Sequence, residues 1–151
     1  MDTKLNVGEM CQSSVHSSDI TSCSFSRTGI FATSSSDHSV RLWSLVETGL
    51  EEIAVLRGHK YGVNYCQFSP QGTLLASCST DSTTVIWDTS NITSNNTSNN
   101  TSDNTSDNII WDVNKQEKLA SLVQPSGCGV RVCKFCPQSA FIATAGFLVF
   151  V

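Results

Sequence analysis

The chain has 151 residues, 39% of them hydrophobic, with a formal net charge of −4 and a pI near 5.2. That length suits one domain of common size; with no Lys/Arg cluster the acidic balance excludes the basic stripe of a nucleic-acid-binding domain, and no apolar run approaches the ~20 residues of a membrane span. Seven cysteines, an odd number, follow an N-terminus without an apolar signal core, which argues against a disulfide framework and places the chain in the cytoplasm, with the nucleus as the alternative.

Residues 1–15 form an N-terminal segment without a strong pattern. Strands are predicted over Ile20–Phe25, Ile30–Ser34, Ser39–Trp43 and Glu51–Leu56, with Arg27-Thr28-Gly29 as the first turn. Val40 and Leu42 alternate with Arg41 and Trp43, and β-branched and aromatic residues favour strands. A second set is predicted over Val63–Phe68, Thr73–Ser79 and Thr83–Trp87. Its first turn is Ser69-Pro70-Gln71-Gly72, where Pro presets one dihedral and Gly accepts a positive one.

The two sets are copies in register. His16 matches His59, Phe25-Ser26 matches Phe68-Ser69, Ala32-Thr33 matches Ala76-Ser77, Asp37 matches Asp81 and Trp43 matches Trp87. Phe25 and Phe68 are 43 residues apart, and six residues separate Asp from Trp in both copies. A third copy begins at Val130-Arg131-Val132-Cys133-Lys134-Phe135, with a further strand expected over Phe141–Ala145. It is displaced because Ile86-Trp87-Asp88 recurs 24 residues later as Ile110-Trp111-Asp112, flanking an insertion. The inserted stretch, Thr89 to Asn108, is built of Thr-Ser-Asn-Asn and Thr-Ser-Asp-Asn units and is expected to be disordered. Its Asn-x-Ser/Thr sequons are expected to be unused without a secretory signal; it is either a repeat expansion without function or a phosphorylatable loop. The third copy lacks a His at its start and ends on Phe147-Leu148-Val149-Phe150-Val151, the mark of a fragment or of an altered isoform.

A Gly58-His59 opening and a Trp87-Asp88 close, at a period of roughly 40–45 residues, resemble the WD repeat, one four-stranded blade of a β-propeller. The resemblance implies an all-β chain: a WD40-type β-propeller, incomplete, with about three blade units and the third truncated, whereas rings close with about 4–8 blades. The units are 16–57, 58–123 with the insert at about 89–108, and 124–151. Open sheet edges in such a chain predict self-association.

The resemblance also assigns a buried hydrogen-bonded tetrad to each complete unit: His16, Thr33, Asp37 and Trp43, then His59, Ser77, Asp81 and Trp87. Neutral His donates and accepts, ionised Asp accepts, Ser and Thr do both, and Trp donates. A Ser/His/Asp combination invites a hydrolase reading, but no strand, Gly-x-Ser-x-Gly turn and helix surround it, and the set recurs at the repeat period. No catalysis is expected. Cys23, Cys66 and Cys133 each stand two residues before the repeat's Phe, on the same strand face, and read as one recurring core position. Cys133 and Cys136 form a Cys-x-x-Cys without further ligands at zinc spacing, so neither a metal nor another cofactor is expected.

In a propeller the loops of one face, the top, carry function. Here they present Ser36, His38, Lys60, Tyr61 and Thr80 as the candidate protein-binding set, with Tyr61 either an anchor or a blade-edge packing residue. No Arg follows a Trp-Asp pair at the spacing used to engage a cullin-type ligase adaptor. Two stretches are similar to a narrower family, the WD-repeat, SAM and U-box domain-containing proteins: Phe68 to Asp81, and Gln124-Pro125-Ser126-Gly127 with Val130-Arg131-Val132-Cys133. That resemblance implies the substrate- or partner-recruiting part of a ubiquitin ligase whose U-box is not in this chain. The alternatives are a WD40 scaffold unrelated to ubiquitin and a non-functional truncated product.

Overall fold

The computed structural model describes residues 15–46, 49–90, 92, 111–112, 120–124, 127–138 and 141–146. The expectations for the first 14 residues, for most of the insert and for the closing Phe147–Val151 run lie outside the described residues.

Eleven strands are described, in three sheets, with no helix among the described residues. The first sheet is an antiparallel meander of β1 (Ile20–Phe25), β2 (Ile30–Ser35), β3 (Ser39–Val46) and β4 (Gly49–Arg57). The second repeats it with β5 (Val63–Phe68), β6 (Leu74–Ser79) and β7 (Thr83–Asp88). Gly29 and Gly72 turn the first hairpin of each sheet at φ 84° and 80°, a conformation that costs only glycine little. The third sheet holds β10 (Val130–Phe135) and β11 (Ile142–Gly146).

The outer edge of β7 is shared by two strands that follow the insertion. β9 (Ala120–Val123) runs antiparallel along Thr83–Ile86, the place of a fourth strand, and the short β8 (Trp111–Asp112) lies parallel beside Trp87–Asp88. The repeated Trp-Asp thus pairs with its original. The start of the insert departs from the expected disorder. Thr89 is buried, donates its N–H to Thr73 O and its hydroxyl to Gly72 O, and Ile92 packs on the apolar cluster below.

Alternation along the strands gives each sheet two faces, and the sheets stack face to face. Ile30, Ala32, Val40 and Leu42 of the first sheet bury against Cys66, Phe68, Leu75 and Trp87 of the second. Ala76, Cys78 and Ile86 on the other face of the second sheet meet Val130 and Cys133 of the third. Cys66 and Cys133 fill the position read as recurring core, but Cys23 does not: it is exposed, because it lies on the face of the first sheet that no described sheet covers. The architecture is an all-β, incomplete propeller of WD40 type.

Hydrogen bonds from side chain to backbone join the sheets at equivalent positions. Thr21 Oγ1 donates to Val63 O at 2.6 Å, and Asn64 Nδ2, one period on, donates to Val130 O at 2.7 Å. Likewise Phe68 N–H donates to Ser24 Oγ at 3.0 Å and Phe135 N–H to Gln67 Oε1 at 3.1 Å. Each innermost strand is thereby fixed to the next at both ends.

Candidate functional site

The second blade's polar network starts at Trp87, wholly buried, whose indole N–H can only donate and does so to Ser77 Oγ at 2.8 Å. The Ser77 hydroxyl hydrogen then goes to His59 Nε2, 2.8 Å away, which leaves the imidazole proton on Nδ1, donating to Asp81 Oδ2 at 3.0 Å. Asp81 also accepts from Lys60 N–H at 2.8 Å and from Thr83 N–H and hydroxyl at 2.9 and 2.5 Å. Burial alone would raise the Asp81 carboxyl; the hydrogen bonds from His59, Thr83 and Lys60 outweigh it and hold the group well below the ordinary carboxylate value.

The first blade repeats the geometry. Trp43 donates to Thr33 Oγ1, Thr33 lies 2.8 Å from His16 Nε2, and His16 Nδ1 lies 2.8 Å from Asp37 Oδ2. Burial again acts to raise Asp37, and bonds from Ser39, His16 and the Ser17 N–H carry it well below its ordinary value. Ser77, His59 and Asp81 are connected as in an acyl-transfer triad, yet Ser77 is fully buried and its oxygen accepts the Trp87 N–H. No substrate carbon can reach it. Ser79 and Ser35, also buried, each tie the backbone of the following turn: Asp81 N–H donates to Ser79 Oγ and Asp37 N–H to Ser35 Oγ, both at 3.1 Å.

These networks position the exposed loops. Ser36, His38, Lys60, Tyr61 and Thr80 are all exposed and lie on the loops at one end of the sheets. His38 and Tyr61 come together across the junction of the first two blades, ring centroids 6.5 Å apart in an edge-on arrangement at 77°. Tyr61 remains 60% exposed. Its loop backbone is tied down: Ser79 Oγ shares its one hydroxyl hydrogen between the Gly62 and Tyr61 carbonyls, 2.8 and 3.1 Å away, and Thr80 N–H donates to Gly62 O at 3.1 Å. Ser36 and Thr80 serve differently, since each seats a neighbouring glycine. A Cβ on Gly62 would stand 3.3 Å from Ser36 Cα, and one on Gly129 would stand 3.0 Å from Thr80 Cα. Both glycines were invisible as functional positions in the sequence; the signal was their shared place in the repeat, where the first unit has Asp19. His38 sits at φ 71° and its counterpart Ser82 at φ 69°, so the turn, not a ligand, imposes that backbone.

At the opposite end of the sheets a cavity of about 270 Å³ is lined by Phe25, Arg27, Phe68, Pro70 and Phe135 among others. Among the described residues no group of three or more His, Cys, Asp or Glu is placed to hold a metal ion, and no helix is long and apolar enough to cross a membrane.

Comparison with known proteins gives one family, described as "WD domain, G-beta repeat", over residues 9–44 and 50–88. The chain is 47% identical over 76 residues to WD repeat, SAM and U-box domain-containing protein 1 of Gallus gallus, covering 50% of this chain and 16% of that protein. The same protein of Homo sapiens is 38% identical over 117 residues, covering 78% and 19%, and that of Danio rerio 32% over 140 residues, covering 93% and 24%. The chain therefore spans about a quarter or less of the length of these relatives.

Proposed function

Since this chain is built of WD40 repeats, we propose that it binds other proteins through the loops around Tyr61 and His38, without catalysis of its own. WD40 repeats generally mediate protein–protein interaction, and the observation that carries the reading is the pair itself: an exposed Tyr edge-on to an exposed imidazole, on backbone already fixed by Ser79 and Thr80. A fixed loop loses little freedom on binding, which favours affinity. Tyr is also among the residues that dominate interface energies. Ser36, Lys60 and Thr80 form the rim. The repeat units are 16–57 and 58–123, which present these loops, and 124–151.

The similarity to WD repeat, SAM and U-box domain-containing protein 1 supports a finer version: the bound protein is recruited for ubiquitination by a U-box that lies outside this chain. Self-association through uncovered sheet surfaces belongs to the same reading, supported by the exposure of Ile20, Phe25, Val123 and Phe141.

The test is quantitative affinity capture with the wild-type chain, Tyr61→Ala, and Leu45→Ala as a control at the far end of the first sheet. The expected result is a set of proteins held by wild type and Leu45→Ala and lost from Tyr61→Ala. Fusing the chain to the U-box of a full-length relative then separates the two versions: ubiquitination of the captured proteins supports the recruiting arm, and its failure leaves a scaffold. Full retention by Tyr61→Ala overturns the proposed binding surface.

A further inference from the structure

The loops around Tyr61 carry a charge opposite to that of the chain. The chain is acidic, at −4. The loop entering the second blade nevertheless holds Arg57 and Lys60, one on each side of Gly58-His59, and both are exposed. His59 is buried in its network and Lys60 N–H is bonded to Asp81, so the loop is pinned between the two cations. Arg57 ends β4 opposite Ser39, the residue after His38. Lys60 precedes Tyr61, whose ring meets that of His38. Two loops thus bring two cations, a phenol and an imidazole to one junction. Both sheets of that junction are present in this chain, so further blades of a ring would adjoin other sheets and leave it as it stands.

The carboxylates at the same end are already engaged. Asp37 and Asp81 each accept from a His, from backbone N–H groups and from the hydroxyl of Ser39 or Thr83. Asp19 is exposed there, but it stands one period before Gly62, at the preceding junction. Glu51, Glu52 and Asp88 lie toward the other end, where β4 begins and β7 closes, and Glu52 is paired with Arg41. Among the described residues, the Arg57 and Lys60 side chains and the His38 ring nitrogens have no hydrogen-bond or ion-pair partner.

We propose that the partner bound at Tyr61 presents an acidic segment, an extended stretch with Asp or Glu on either side of an apolar residue. The proposal deepens the protein-binding reading above and rests on it. The donors decide the chemistry: guanidinium and ammonium groups can only donate, and an ionised carboxylate can only accept. Arg57 can hold one carboxylate through two parallel bonds, and Lys60 a second as a point charge. The Tyr61 ring offers an apolar face between them. A basic segment would meet two like charges, which costs affinity and slows encounter. A nucleic acid fits less well, since its backbone engages cations at many successive phosphates and the net charge of the chain repels it.

Fluorescence anisotropy of the whole chain with short labelled peptides tests this, with circular dichroism to confirm that each variant folds. The probes share a central Leu and differ in its flanks: Asp and Glu, their amides Asn and Gln, Lys, or phosphoserine. The acidic peptide is expected to bind, more weakly as salt is raised, and the amide peptide not to bind. Arg57→Gln and Lys60→Gln are each expected to weaken the acidic peptide about two- to fivefold, the range for an exposed ion pair, and Leu45→Ala to leave it unchanged. Arg57→Glu combined with Lys60→Glu is expected to turn the preference toward the Lys peptide. No binding of the acidic peptide, equal binding of its amide form, or acidic binding untouched by the double change would overturn the acidic class. Binding of the phosphoserine peptide alone would overturn it in favour of phosphate. The protein-binding reading is judged apart, by affinity capture. If Tyr61→Ala retains the captured proteins, both fall; if Tyr61→Ala loses them and the double change does not, the surface stands and the acidic partner falls.

Discussion

Trp87 donates its indole N–H to Ser77 Oγ at 2.8 Å, and the bond closes a polar chain whose Trp87 and Ser77 end is wholly buried. The indole fills the space between the first two sheets while its one donor holds the hydroxyl that orients His59. Trp87→Ala removes both and is expected to cost about 3–5 kcal/mol, as other buried aromatic truncations do. Trp87→Phe keeps most of the volume and loses the donor, with an expected cost of about 1–3 kcal/mol. Urea denaturation midpoints check the order; a midpoint unmoved by Trp87→Ala would remove Trp87 from the blade core.

Gly62 and Gly129 set how closely the second and third blades approach the turn of the blade before. Gly129→Ala places its Cβ 3.0 Å from Thr80 Cα and 3.3 Å from its carbonyl oxygen, so backbone must move. Gly62→Ala meets Ser36 Cα at 3.3 Å. Overpacking of this kind costs about 1–3 kcal/mol, with Gly129→Ala expected to be the worse of the two. Thermal midpoints of the two variants give the ranking.

Asp37 and Asp81 make the fold acid-sensitive. Their carboxyls are held below the ordinary 3.8 in the folded chain, so the unfolded chain binds more protons in the acid range. The stability they contribute is present above 3.8 and is lost as pH falls below it toward the lowered folded values. Asp81→Asn is expected to lower stability at pH 7 and to flatten its dependence on pH below 4 relative to wild type. Denaturant midpoints measured from neutral pH downward show whether the slope is reduced.

The fold was legible where one residue type marks one position. Trp43 and Trp87, Asp37 and Asp81, and the turn glycines Gly29 and Gly72 recur with fixed spacing, and the strands around them follow from β-branched alternation. The contacts between blades were not legible, because they conserve a position and not a side chain. Thr21 and Asn64 make the same bond, as do Ser24 and Gln67, and neither pair looks alike as a string. The fourth strand of the second sheet, Ala120–Val123, was hidden by its distance from β7 beyond the insertion. Cys23 was misread because burial depends on a neighbouring sheet, which alternation along one strand cannot reveal.

Thiol reactivity separates covered from uncovered faces in a single experiment. Burial pushes the Cys66 thiol up to about 12, and the hydrogen bond with Cys78, with burial, raises Cys133 as well. Thiolates are the reactive species, so Cys66 and Cys133 are expected to resist alkylation at pH 7 in the folded chain, as is Cys78 because it is wholly buried. Cys23, on the open face, is expected to react first among these four. Mass mapping after brief iodoacetamide treatment gives the order, and early labelling of Cys66 would mean that the first two sheets do not pack as described.

The tautomer of His59 tests the central claim most directly, that the buried network is an ordered strut fixing the exposed loops around Tyr61. With Trp87 and Ser77 donating in sequence, Nε2 must accept and Nδ1 must carry the hydrogen toward Asp81. A long-range proton–nitrogen correlation spectrum of the imidazoles at pH 7 reads the tautomer. The account predicts hydrogen on Nδ1 and an accepting Nε2 for both His16 and His59; an Nε2–H tautomer at His59 would contradict it.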